Sequence, residues 1–202
     1  MKLYFSPGTC SLSPHIVLRE IELPFTPVKV NLSTHTLSDG TNYYDIEPKG
    51  YVPMLELDNG QRMTEGQVIV QYLADQVPHK QLIPAAGSQE RYRVQEWLAF
   101  ISTEIHKGFS PLFSAQLSDE TKTFFRNRLL TKLEWVNREL EAKDYLMGSV
   151  FCVADAYLFT VVSWAGSMKL DLTPLTHLQA YMARVSQRPA VQQALEAEGL
   201  KK

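Results

Sequence analysis

The feature that most limits what this chain can fold into is a break in its hydrophobic patterning near residue 80. Before the break, strand-like alternation and helix-like spacing follow one another in short runs. After it, only helical spacing remains. A change of this kind separates a mixed domain from an all-helical one. The breakers Pro78, Pro84 and Gly87 cluster at the change. Residues 78–88 are therefore expected to link a domain of residues 1–77 to a second of residues 89–202.

In the first region, Lys2 to Phe5 reads as a short strand cut off by Pro7-Gly8. Ser11 to Ile21 reads as a helix, with Ser11 and Ser13 as candidate caps and Pro14 tolerable in the first turn. Phe25 to Leu32 alternates, with Val28, Val30 and Leu32 on one face. Pro53–Leu57 and Gln61–Thr64 flank Asp58-Asn59-Gly60, a hairpin signal suited to a tight primed turn. Glu65 to Val77 is a helix with Val68, Ile69, Tyr72, Leu73 and Val77 on one side. The order β-α-β, a long irregular stretch, then β-β-α predicts an open four-stranded sheet with one parallel crossover.

The second region predicts helices over Arg91–Gly108, Ser118–Ala142, Val153–Met168 and Leu175–Gln187, and a short last one opened by Pro189. The fold class is thus α/β followed by all-α.

Bulk properties exclude several functions. A net charge of −2 over 202 residues, with dispersed basic residues, carries no footprint for nucleic acid or an anionic membrane. No apolar run reaches the roughly 18 residues that span a bilayer. Met1–Phe5 is interrupted too early to be a signal peptide, so a cytoplasmic location is expected. The two cysteines, Cys10 and Cys152, form no C-x-x-C pair, and the histidines show no metal-ligand spacing. No metal is expected.

Three junctions in the first region are candidates for chemistry. Cys10, in Pro7-Gly8-Thr9-Cys10-Ser11, lies where a strand gives way to a helix. A helix N-terminus favours thiolate, the reactive form; the alternative is a small buried residue after a turn. Val52-Pro53 precedes a strand, where a cis bond would turn the Val52 backbone toward a peptide ligand; the alternative is an ordinary trans proline. Glu65-Gly66 begins a helix, so Glu65 either holds a ligand's amino group or merely complements the helix dipole. In the second region, Glu104, His106 and Lys107 close a helix before Gly108; His106 and Lys107 are the kind of residue that a helix C-terminus attracts in any case. Trp97, Phe100, Phe109, Phe113, Tyr157 and Trp164 are aromatics for a core or for an apolar pocket.

Taken together, these residues resemble the bacterial beta-class glutathione transferases across essentially the whole chain. The carriers are Pro7-Gly8-Thr9-Cys10-Ser11-Leu12, Asn31-Leu32, Pro48-Lys49-Gly50-Tyr51-Val52-Pro53, Thr64-Glu65-Gly66, Gln71-Tyr72-Leu73-Ala74-Asp75, the run from His106 to Phe113, and Val153 to Phe159. The resemblance implies a thioredoxin-like domain, a helical domain and a homodimer. It implies that Cys10 stands beside the glutathione sulfur and is able to form a mixed disulfide with it. Val52, ahead of a cis Pro53, would pair with the cysteinyl part of glutathione. Glu65 and the Gly66 N–H would hold the γ-glutamyl end. His106 and Lys107 would face the sulfur, and Glu104 would approach the glutathione of the neighbouring subunit. Phe109, Phe113 and Trp164 would line the pocket for an apolar electrophile.

Elementary chemistry makes sense of that assignment. Glutathione has one amino group, two carboxylates and a thiol that is mostly protonated at neutral pH, with a pKa near ~8.5. Lowering that pKa by one unit takes about 1.4 kcal/mol of preferential thiolate stabilisation. A helix end and a nearby His106 or Lys107 would supply it.

Four positions depart from the family pattern. His35 stands where a Lys usually meets the glycine carboxylate, which would make that contact weaker and pH-dependent. Gly66 stands where Ser is common, so a hydroxyl contact is lost while the N–H remains. Ala99 stands where an Asn can reach across the dimer, and no such role is carried over. Cys152 stands where Ser or Thr usually caps the helix from Val153, three residues before Asp155. A thiol accepts poorly, so this capping box should be weakened by ~1 kcal/mol and Cys152 reads as structural.

The resulting expectation is a transferase that joins glutathione to small apolar electrophiles, a detoxifying activity, with glutathione as co-substrate. A thiol–disulfide reductase with Cys10 as nucleophile is the near alternative. A non-catalytic carrier of apolar compounds is the third.

Overall fold

The computed structural model describes residues 1–201. It divides into two compact units, one of residues 1–83 with 188–201 and one of residues 84–187.

The first unit is built on a five-stranded sheet in the order β3-β2-β1-β4-β5. Its strands are β1 (Lys2–Phe5), β2 (Thr26–Asn31), β3 (Thr36–Leu37), β4 (Met54–Glu56) and β5 (Arg62–Met63). β1 and β2 run parallel, joined across helix α1 (Leu12–Ile21), while β4 and β5 add antiparallel to β1. The expected crossover is present, but the sheet has five strands rather than four. The extra one is a two-residue edge strand inside the stretch read as irregular, too short to carry an alternating pattern.

Alternation assigns the two faces of the sheet. Tyr4, Val30, Tyr43, Val52 and Met54 form one buried cluster, with Val28, Leu32, Leu37 and Ile46 packed on it. Leu3 and Phe5 take the opposite sense along β1 and are equally buried. On that side the Phe5 ring meets His15 of α1 at 5.8 Å. Helix α2 (Gly66–Gln76) buries Ile69, Val70, Leu73 and Ala74. The β4–β5 hairpin does not use a primed turn. Gly60 alone is left-handed (φ 80°) and its N–H returns to Leu57 O, the pattern of a type I turn closed by a bulge.

The last helix, α8 (Pro189–Ala197), belongs to this first unit, contrary to the expected assignment of residues 89–202 to one domain. Its buried Ala190, Val191 and Ala194 form an apolar stripe, and α8 packs on α1. Arg188 adds a two-pronged ion pair to Glu20, at 2.7 and 3.0 Å.

The second unit contains α3 (Gln89–Phe100), α4 (Lys107–Phe113), α5 (Asp119–Glu139), α6 (Val153–Val162) and α7 (Thr176–Ser186). Ser88 and Ser118 cap α3 and α5 by accepting from the N–H groups of Arg91 and Thr121. The helix expected to stop at Gly108 does not stop there. A π-helical segment, Ile101–His106, joins α3 to α4. Gly108 serves a close approach instead: a Cβ on it would lie 3.0 Å from Leu129 Cδ1 of α5. Helix α6 ends at Val162, earlier than expected, and turns containing Ser163 and Gly166 follow it.

Candidate active site

The three junctions singled out in the first region meet in space. Thr9 O accepts from Leu12 N–H and Cys10 O from Ser13 N–H, a tight lead-in that sets Cys10 just before α1. Ser11 makes no capping bond to the helix. Its hydroxyl instead bridges the backbone N–H and O of Ser6, at 3.1 and 3.2 Å, and the Thr9 hydroxyl at 2.8 Å. Ser13 does not cap either; its hydroxyl is buried with no hydrogen-bond partner among the described residues. The turn that carries Cys10 is therefore closed on itself.

Cys10 is half-buried and in no disulfide, and its thiol donates to Val52 O at 3.2 Å. The Val52–Pro53 bond is cis. Gly66 lies against Pro53, where a Cβ would sit 3.5 Å from the proline Cγ, so a serine would fit there in ordinary contact.

Glu65 has φ of 66° although it is not glycine. A strained backbone held just ahead of a helix is a functional marker when the side chain is not used for folding. Glu65 makes no capping bond. Its exposed carboxylate lies 3.7 Å from Lys49 Nζ, which also donates to Thr64 Oγ1 at 2.9 Å. An uncapped helix start beside an acid and a lysine offers N–H donors, a negative group and a positive group within a few residues. His35 stacks on Tyr44 at 4.5 Å, and its Nδ1 is buried with no hydrogen-bond partner among the described residues.

A buried pair that sequence reasoning missed stands behind this turn. Glu198, following α8, accepts from Gly8 N–H at 2.9 Å and from His15 Nδ1–H at 2.8 Å. Both side chains are fully buried. The partners are 190 and 183 residues apart in sequence, with no spacing signal to connect them.

In the second unit, His106 closes the π-helical segment, and its Nδ1 is 2.7 Å from the hydroxyl of Tyr157 on α6. Burial, with the charge of Lys107 next to it, pushes its pKa down to about 4. The ring is neutral at neutral pH, so it would not act as the cation anticipated from sequence; Lys107, exposed beside it, carries the charge. Trp164 gathers the expected pocket residues, with His106, Phe109 and Phe113 at 5.2, 5.5 and 5.5 Å from its ring. Phe109 is fully buried and Phe113 half exposed, so one is floor and the other rim. Trp97 and Phe100 are not in this group. They pack with Trp135 at the side of a separate groove between α3 and α5.

Glu104 is paired within its own unit. Lys132 contacts its carboxylate at 2.5 Å and holds its pKa below the usual carboxylate range. Cys152 keeps the reciprocal capping geometry with Asp155, whose Oδ2 accepts from Cys152 N–H at 2.8 Å. Burial pushes the Cys152 thiol well up, which makes it a poor nucleophile. No cluster of three or more histidine, cysteine or acidic residues able to hold a metal occurs among the described residues. No helix among them is long and apolar enough to cross a membrane.

Comparison with known proteins gives a consistent result. Residues 8–76 match the family model of the glutathione S-transferase N-terminal domain, and residues 100–189 that of the C-terminal domain. The chain is 49% identical to glutathione S-transferase GstA of Escherichia coli O157:H7 over 201 residues, covering 100% of both. Among solved structures it is similar to a ternary complex of BphK, a bacterial glutathione transferase. The identity is 55% with a TM-score of 0.97, covering 99% of this chain and 100% of that one. It is also similar to a sphingomonad glutathione S-transferase complexed with glutathione, at 42% identity and a TM-score of 0.96 with 100% of each chain covered.

Proposed function

The chain belongs to the bacterial glutathione S-transferases and is a glutathione transferase enzyme, and from that premise we propose that it conjugates glutathione to small apolar electrophiles with Cys10 beside the glutathione sulfur. The observation that carries the reading is the 3.2 Å contact between Cys10 Sγ and Val52 O. Val52 is the residue assigned to the cysteinyl backbone of glutathione, so a ligand paired there brings its sulfur toward Cys10. Glu65 and the N–H of Gly66 take the γ-glutamyl end, and His35 takes the glycine carboxylate. From the second unit, His106 and Lys107 are assigned to the sulfur and the apolar group around Trp164 to the electrophile. Glu104 is assigned to the glutathione of a second subunit in a homodimer, which requires it to leave or share Lys132.

A second reading, a glutathione-dependent thiol–disulfide reductase, is favoured by the partial exposure of the Cys10 thiol. In that reaction Cys10 thiolate attacks a disulfide sulfur, the mixed disulfide forms, and glutathione thiolate resolves it. The first reading is preferred because the similar proteins are glutathione transferases by name.

Two assays on wild type, Cys10→Ala and Cys10→Ser separate the readings. One conjugates glutathione to an aryl halide and the other reduces a glutathione mixed disulfide. Conjugation retained within about fivefold in Cys10→Ala is the expected result, a change of roughly 1 kcal/mol in the barrier. Loss of conjugation by about a thousandfold would show that the Cys10 thiol is itself required for conjugation, against this expectation. Any disulfide reduction is expected to vanish in both variants.

A further inference from the structure

The His106–Tyr157 contact assigns a role that the family pattern leaves open. We propose that Tyr157 is a positioning residue that fixes His106 as the Nε2–H tautomer, so that His106 meets the glutathione sulfur as a hydrogen-bond donor and not as a base. The inference rests on the proposed assignment of His106 to that sulfur.

The geometry is specific. Tyr157 is buried on α6, and its hydroxyl oxygen is 2.7 Å from His106 Nδ1. The two rings stand edge to face, 5.9 Å apart at 85°. Trp164 packs against the imidazole from another side at 5.2 Å and 65°. The ring is thus held between two aromatic side chains with Nδ1 turned to the phenol.

A neutral imidazole has one N–H and one lone pair, and the hydrogen bond at one nitrogen dictates what the other carries. A phenol is a better donor than acceptor. Tyr157 O–H therefore donates to Nδ1, and the imidazole proton resides on Nε2. The depressed pKa of His106 agrees, because a doubly protonated ring would lose Nδ1 as an acceptor.

The proton balance follows. Glutathione releases its thiol proton to solvent on binding as thiolate, and His106 neither takes nor yields one. Nε2–H supplies a neutral hydrogen bond to the sulfur, while the π-helical segment that ends at His106 sets where the ring leaves the helix.

The test uses the full-length enzyme labelled with ¹⁵N-histidine, with the His106 signals identified by their absence in His106→Gln. Long-range ¹H–¹⁵N correlation at pH 7 is expected to show Nε2 protonated and Nδ1 as an acceptor. In Tyr157→Phe, which keeps the ring and hence the packing, the tautomer is expected to become mixed. kcat for conjugation is expected to fall about tenfold while the glutathione Kd changes by less than about twofold. Wild-type His106 with its proton on Nδ1 would overturn the inference without need of any variant. So would a Tyr157→Phe enzyme with the tautomer and kcat unchanged. If the tautomer is as expected but saturating glutathione leaves the His106 Nε2 signal unmoved, the assignment of His106 to the sulfur fails, and with it the donor role.

Discussion

Replacing Asp155 with alanine is expected to destabilise the protein by about 4 kcal/mol, read as a fall in the urea midpoint. Asp155 is completely buried in the first turn of α6. Its carboxylate accepts from Leu146 N–H at 2.9 Å, from Cys152 N–H at 2.8 Å and from the Tyr181 hydroxyl at 3.1 Å. Those three donors come from a loop, the helix cap and α7. Alanine leaves two buried N–H groups without this acceptor, each at a cost of roughly 1–3 kcal/mol, and opens a small void. Asparagine keeps one good acceptor and should cost about half as much.

The same residue gives a pH effect whose sign is determinate. Burial pushes the Asp155 carboxyl up, against the opposing bonds from Leu146 and Cys152. Between the ordinary aspartate pKa and the raised one, the folded state holds a proton that the unfolded state has released. Stability therefore falls as pH rises through that window. Asp155→Asn should remove this component of the slope.

The second large effect is at Glu198. Glu198→Ala is expected to cost about 3 kcal/mol, because it strips the acceptor from the part-buried Gly8 N–H and from the fully buried His15 Nδ1 at once. His15 lies between the rings of Phe5 and Phe25, at 5.8 and 5.4 Å, and its Nε2 is already without a partner among the described residues. The ring has no second bond on which to fall back. Glu198→Gln retains one acceptor and should lose roughly half as much. Gly8 is two residues from Cys10, so loosening its tether should also weaken glutathione binding, measured by calorimetry. A Glu198→Ala protein with unchanged stability would show that this pair carries no weight.

Local signals made much of the fold legible. Val28, Val30 and Leu32 alternate because one side of this segment meets the core: Val30 lies in the buried cluster, and Val28 and Leu32 pack against it. Ser118 caps α5 and Pro189 opens α8, as short-range chemistry dictates. What was not legible depends on contacts far apart in sequence. The apolar stripe of α8 fits any apolar surface, and periodicity cannot say that α1 provides it. Gly108 reads as a helix end in isolation and as a close approach once Leu129 is opposite it. The π-helical segment leaves the buried sequence Val94, Leu98, Ile101, Ile105, Phe109 in register, so hydrophobic spacing does not reveal the extra residue per turn.

The candidate site divides along the same line. Cys10, Val52 and Glu65 were visible because each stands just before a strand or a helix, with its own backbone demand. The neutrality of His106 was not, since it depends first on burial, among neighbours such as Trp164 and Tyr157 that lie more than 50 residues away in sequence, and then on the charge of Lys107. Glu198 was invisible for the same reason: a glutamate after a helix looks solvated until its partners are known.

The proposed site lays glutathione against Cys10, and one measurement tests that placement directly. The enzyme is incubated with glutathione disulfide at mildly alkaline pH, and the adducts are mapped by peptide mass spectrometry. Cys10 thiolate attacks one sulfur of the disulfide, leaving glutathionyl-Cys10 and releasing one glutathione thiolate. The expected result is one glutathione on Cys10 and none on Cys152, with the adduct forming more slowly when S-methylglutathione occupies the site. No adduct, equal labelling of Cys152, or labelling of Cys10 that S-methylglutathione does not slow would contradict the proposed site.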